Sequence, residues 1–129
     1  MAIGAYLVET FCFGVQKCYI HLINDDYYDL IEYIRSLCGE SKRVTPSYAA
    51  TLIKKSVEYA DNNGFKPHPD YLKARRFLNN IPIDENQKFD FGHDGKPLYM
   101  QRSCETNEYA SRVMKVLEKN KGAGNYSFM

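Results

Sequence analysis

A chain of 129 residues, 44% hydrophobic and 26% charged, is long enough to bury a core without help from metals or disulfides. Its net charge of +1 excludes binding that depends on a global positive field, while leaving room for a local basic patch. The four cysteines, Cys12, Cys18, Cys38 and Cys104, form no C-x-x-C pair and have no histidine at a zinc-ligand interval, so free thiols are expected rather than a zinc or redox motif.

Residues 2–23 mix β-branched, aromatic and polar side chains, which predicts two strands over about 5–12 and 16–23 meeting near Gly14, or else one long bent strand. Period-two alternation sets Glu9 among apolar neighbours on its face, a position that belongs to a sheet edge or to a pocket, and the edge is favoured. Asn24 or Asp25 caps a predicted helix over 25–38, with Tyr27, Leu30, Ile31, Ile34 and Leu37 as its apolar stripe. Asp25, Asp26 and Asp29 suit the positive end of that helix. They lie on one turn and do not converge as metal ligands must.

The central stretch is the best marked. Thr45 caps a helix over 46–63, Pro46 opens it, and Gly64 supplies a left-handed stop. Ala49, Leu52, Ile53, Ser56, Val57 and Ala60 recur at three- and four-residue steps and form its buried face. Phe65-Lys66-Pro67-His68-Pro69 then makes a stiff corner into a helix over 70–79, apolar at Leu72, Ala74, Phe77 and Leu78. After an acidic link, Phe89 and Phe91 lead to an Asp94-Gly95 turn and a return strand through Leu98-Tyr99-Met100, so a hairpin is expected over 88–100. Pro97 restricts the return arm to an edge or to pairing beyond the proline. A last helix over 105–120 buries Tyr109, Ala110, Val113, Val116 and Leu117 and stops at Gly122. The expected fold is α+β: a small, mostly antiparallel sheet of the N-terminal strands plus the 88–100 hairpin, against about four helices. One domain is expected over 1–121, with a flexible tail over 122–129.

Three stretches are candidates for function. His68 precedes Asp70 in a rigid corner, where a histidine–carboxylate pair can move protons or can simply cap the next helix; capping is the favoured reading. Lys96 beside Asp94-Gly95 is within reach of an anion, although turn chemistry alone accounts for the dipeptide. Lys54, Lys55, Lys66, Lys73, Arg75 and Arg76, interleaved with Phe65 and Tyr71, suit phosphates and stacked rings, or form ordinary solvated helix faces. Phosphate-loop, dinucleotide, nucleophile-elbow and zinc-helix motifs are absent, and no cofactor is expected. Eleven tyrosines exceed what a small core satisfies, which places several at its boundary or at a contact surface. With no leader and no apolar run of about 18 residues, a soluble cytoplasmic protein without a membrane span is expected.

The segments YLVETFCFGVQKC, EYADNNGFKPHPDYLKAR and FGHDGKPLY together resemble a family of conserved bacterial domains of unassigned activity, over roughly residues 6–100. The family usually has aspartate at the position of Glu9 and Lys-Asp at the position of Gln16-Lys17. The resemblance implies a shared fold and no particular reaction. It also implies additional upstream sequence in other members, with this chain a short version or a fragment.

From the residues, the leading expectation is a non-catalytic module that binds an anionic ligand, a nucleic acid, a nucleotide or an acidic partner protein, through Lys66, His68, Asp70, Tyr71, Lys73, Arg75, Arg76 and Lys96. A hydrolase or nuclease using Glu9, His68 and Asp70 is the alternative, and an oligomerising interaction domain is the third.

Overall fold

The computed structural model describes residues 2–22 and 27–129. Strands β1 (Ala2–Glu9) and β2 (Gly14–Leu22) pair antiparallel, with Tyr6 opposite Cys18, Glu9 opposite Gly14 and a register slip between Leu7 and Val8. Helices α1 (Tyr27–Cys38), α2 (Pro46–Asn62) and α3 (Pro69–Ala74) follow, the last running into a 3₁₀ turn over Arg75–Phe77. Strand β3 (Leu98–Tyr99), helix α4 (Asn107–Lys121) and strand β4 (Ser127–Phe128) complete an α+β fold with two small sheets. Asn24 and Asp25, the expected caps of α1, lie outside the described residues. Of the expected stripe on α1, Ile31 and Ile34 are half-buried, while Leu37 is 68% exposed.

The marks at the ends of α2 act as read, and Thr106 caps α4 in the same way, a role not read from the sequence. Thr45 Oγ1 accepts from Tyr48 N–H and Thr106 Oγ1 from Tyr109 N–H, each at 3.1 Å, which satisfies a first-turn donor of α2 and of α4. Gly64 stands at φ +95°, beyond the C-terminus of α2. The hairpin, α2 and α3 enclose one cluster of Val15, Cys18, Ala50, Ile53, Tyr71, Ala74 and Leu78. A second cluster gathers Cys12 and Tyr99 with Ala110, Val113 and Leu117 of α4.

The turn between β1 and β2 joins these clusters, and Glu9 organises it. Its Oε1 accepts from Phe11 N–H at 2.8 Å, and its Oε2 accepts from Cys12 N–H at 2.8 Å and Phe13 N–H at 2.7 Å. One carboxylate thus satisfies three donors that the tight turn denies to the ladder. The turn's carbonyls are left to other segments: Thr10 accepts from Gly92 N–H at 2.8 Å, Phe11 from Leu98 N–H at 3.1 Å, and Cys12 from the buried Asn63 Nδ2 at 3.1 Å. Gly14, at φ +67°, lies so close to α2 that a Cβ there would sit 2.6 Å from the Ser56 carbonyl oxygen.

The 88–100 segment departs from the expected hairpin. Asp94 and Gly95 do form a turn with positive φ, 52° and 77°, closed by the His93–Lys96 bridge. The outward arm makes no ladder, because its rings pack on α2 instead: Phe89 against Tyr48 and Phe91 against Tyr59, at centroid distances of 5.4 and 5.2 Å. Pro97 has no N–H to give that arm, and its carbonyl accepts from Ser127 N–H at 2.9 Å. So β3 pairs in parallel with β4, in a sheet separate from β1–β2. Residues 127–129, part of the stretch expected to be a flexible tail, are thereby hydrogen-bonded to residues 97–101, and Tyr126 packs on the second cluster.

Two outcomes follow from these contacts. Glu9→Ala leaves three turn amides without their acceptor and should lower unfolding free energy by about 2 kcal/mol or more in urea titrations, whereas an unchanged midpoint contradicts the role assigned to the carboxylate. Tyr99, 1% exposed, has its hydroxyl held up to about 12 by burial and then by the Glu105 carboxylate beside it. An unfolded tyrosine loses its proton near ~10, so between that pH and about 12 the unfolded chain is favoured by ionisation that the fold resists. Stability should therefore fall as pH rises through this window, and fall less in Tyr99→Phe.

Candidate functional site

The corner after α2 is pinned at both ends. Phe65 N–H donates to the Ala60 carbonyl at 2.9 Å, and His68 N–H donates to the Val15 carbonyl at 3.2 Å, fastening the corner to β2. His68 Nδ1 then accepts from Asp70 N–H at 3.1 Å, so the histidine caps α3. A nitrogen that accepts from an amide carries no proton, which puts the proton of the neutral ring on Nε2. The 3.6 Å separation of Nδ1 from Asp70 Oδ2 is therefore not an ion pair in this state.

Of the eight expected ligand residues, Asp70, Lys73 and Arg76 line one cleft of ≈ 280 Å³ between β2 and α3. Cys18, Ile20, Ala74 and Phe77 form its apolar wall. Arg76 holds its guanidinium carbon 5.2 Å from the centre of the Phe77 ring, a cation–π distance that lays the guanidinium against an aromatic surface. Among the described residues Lys73, Arg75 and Arg76 form no ion pair. All three are exposed.

The other expected residues are placed differently. Tyr71 is 6% exposed and packs edge-on to Tyr6 at 6.5 Å, so it belongs to the core and is closed to a stacked ligand. Burial pushes its hydroxyl upward, with Arg75 pulling back. Its place follows from the spacing of α3, where Tyr71, Ala74 and Leu78 share a buried face and leave Leu72 in solvent. Lys66 is paired with Asp61 at 3.2 Å on the surface. Lys96 belongs to the distant-in-sequence 93–96 turn, and it does not line the cleft. Lys55 is drawn from the basic group altogether, donating to the Glu85 and Gln87 carbonyls.

Glu9 does not join His68 and Asp70 in one cleft. It lines a second cleft, at the tip of the hairpin. The residues missed by sequence reading are Cys18, Ile20 and Phe77. The strand alternation that puts Cys18 opposite Tyr6 was the signal for the first two. Cys18 is no ready nucleophile, since burial and then the nearby Asp70 raise its thiol. Among the described residues no three His, Cys, Asp or Glu side chains converge to hold a metal, and no helix is long and apolar enough to cross a membrane.

As a cap, His68 should be replaceable by another cap. His68→Asn should keep most of the stability, and His68→Ala should lose about 1 kcal/mol, both read from thermal or urea unfolding. Equal losses in the two variants contradict the capping role. Comparison of the whole chain with protein-family models, with curated proteins and with solved structures finds no match in any of the three.

Proposed function

We propose that this chain is a non-catalytic binding module for an anionic ligand, a nucleotide or a short single-stranded nucleic acid, seated in the cleft between β2 and α3. The observation that carries the reading is a pair of exposed cations, Lys73 and Arg76, outside any ion pair among the described residues and set beside an apolar wall. Two cations attract phosphate, and the Phe77–Arg76 surface offers a face for a base. Asp70 in the same cleft adds an acceptor for a base amino group or a sugar hydroxyl. A carboxylate there also works against a partner that is acidic throughout, which favours a nucleotide over an acidic protein surface. Kinship with the bacterial family that the three segments resemble is part of this proposal, as is a cytoplasmic location.

Oligomerisation is a second reading, favoured by the exposure of Tyr33 at 62% and Leu37 at 68% on α1. Light scattering separates the two, since a dimer that persists without nucleic acid belongs to the second alone.

Anisotropy of a labelled single-stranded oligonucleotide, titrated at several salt concentrations, tests the leading reading. Affinity should fall linearly with salt on logarithmic axes, and each of Lys73→Ala and Arg76→Ala should flatten that slope by about one. Binding that ignores salt, or that survives the double substitution, rejects the site.

A further inference from the structure

The cleft at the tip of the β1–β2 hairpin takes no part in the proposed anion site. Its volume is ≈ 380 Å³, and its walls include Glu9, Phe11, Phe13, Leu98, Met100 and Arg102. Strand β3 forms one side, and its two edges differ. In a strand the backbone groups of successive residues point to opposite sides. Pro97, Tyr99 and Gln101 direct theirs to the C-terminal segment: Ser127 N–H donates to the Pro97 carbonyl at 2.9 Å, Met129 N–H to the Tyr99 carbonyl at 2.9 Å, and Gln101 N–H to the Met129 carbonyl at 3.0 Å. Leu98 and Met100 therefore face the other way, the side on which Leu98 N–H meets the Phe11 carbonyl. Among the described residues the Leu98 carbonyl and both backbone groups of Met100 have no hydrogen-bond partner.

The ends of this open edge carry opposite charges. Glu9 sits at the Leu98 end, through Phe11, which donates to its carboxylate and accepts from Leu98. Arg102 lies four residues on, ~13 Å along an extended chain. Its side chain is 61% exposed, and its closest acid is Glu105, 3.8 Å from Nε, so the outer guanidinium nitrogens are available. Phe11, Phe13, Leu98 and Met100 make the walls between them apolar.

We infer that this cleft receives the apolar C-terminal end of a peptide, added to the open edge of β3 as a parallel strand with its carboxylate on Arg102. The penultimate residue donates its N–H to the Leu98 carbonyl and accepts from Met100 N–H. That repeats, one residue out of step, the pair of bonds Met129 makes with Tyr99 and Gln101 on the opposite edge. The last side chain enters among the aromatic walls, and the guanidinium takes the carboxylate in its two-pronged geometry. The opposite orientation places carboxylate beside Glu9, so the charges fix the direction.

The test is an NMR titration of the ¹⁵N-labelled chain with N-acetyl-Gly-Ser-Thr-Phe as the free acid, the same peptide as its C-terminal amide, and free phenylalanine. The acid should saturate below ~1 mM with the Met100 amide among the shifted signals, and both the amide and the free amino acid should bind at least ~10-fold more weakly. Arg102→Ala should abolish the difference between acid and amide. Met100→Pro, which removes the open N–H just beyond the end of β3, should weaken the acid peptide while leaving the remaining spectrum native. The inference is overturned by equal binding of acid and amide, by a difference that persists in Arg102→Ala, by free phenylalanine matching the peptide, or by no saturation at all. None of these outcomes bears on the salt-dependent site between β2 and α3.

Discussion

Three amide groups in the β1–β2 turn depend on one carboxylate. A four-residue connection between antiparallel strands leaves its N–H groups outside the ladder, and here the turn is half-buried, with Cys12 wholly enclosed. Unmet, each donor costs about 1–3 kcal/mol. Glu9 meets those of Phe11, Cys12 and Phe13 at 2.7–2.8 Å, and in doing so it fixes where the turn's carbonyls point. Those carbonyls then collect Gly92 and Leu98 from one segment and Asn63 from another, both far from the turn in sequence. With the Val15 carbonyl holding His68 just beyond the turn, the same hairpin aligns α2, the corner, the 92–98 segment and, through Cys12, the face of α4. Glu9 is thus occupied by structure, which is why it is a poor candidate for acid–base chemistry.

What was legible in the sequence was local. Thr45, Pro46 and Gly64 mark the ends of α2 because the conformation and donors of a helix terminus call for those residue types, and Asp94-Gly95 marks a turn because its backbone needs positive φ. The second sheet was not legible in the same way. Phe89 and Phe91 read as strand residues, yet their rings reach Tyr48 and Tyr59, and nothing near them in sequence announces that packing on α2 outweighs a ladder. The partner of β3 lies some thirty residues downstream, in a stretch whose glycines and polar residues suggest freedom. Tyr71 shows the limit at the site. The sequence places it between two cationic positions, but helical spacing turns it toward Ala74 and Leu78 and away from Lys73 and Arg76.

Net charge conceals how the charges are used. With 17 basic and 16 acidic residues the chain is nearly neutral, but the acids and the bases do different work. Glu9 is spent on three turn amides, Glu105 accepts from Arg102 N–H at 2.7 Å, Asp84 accepts from Asn86 N–H at 3.0 Å, and Asp61 pairs with Lys66. Backbone N–H groups supply positive partial charge and need acceptors, so a fold with many short connections draws carboxylates to its turns. Lysine and arginine offer only donors, and Lys55 spends its own on the Glu85 and Gln87 carbonyls. Lys73, Arg75 and Arg76 stand exposed and, among the described residues, outside any ion pair. Asp70 stands in the same cleft as Lys73 and Arg76, so the near-neutrality of the whole chain is reproduced there as a mixed site, in which two cations can meet phosphate while one carboxylate accepts from a donor on the same ligand.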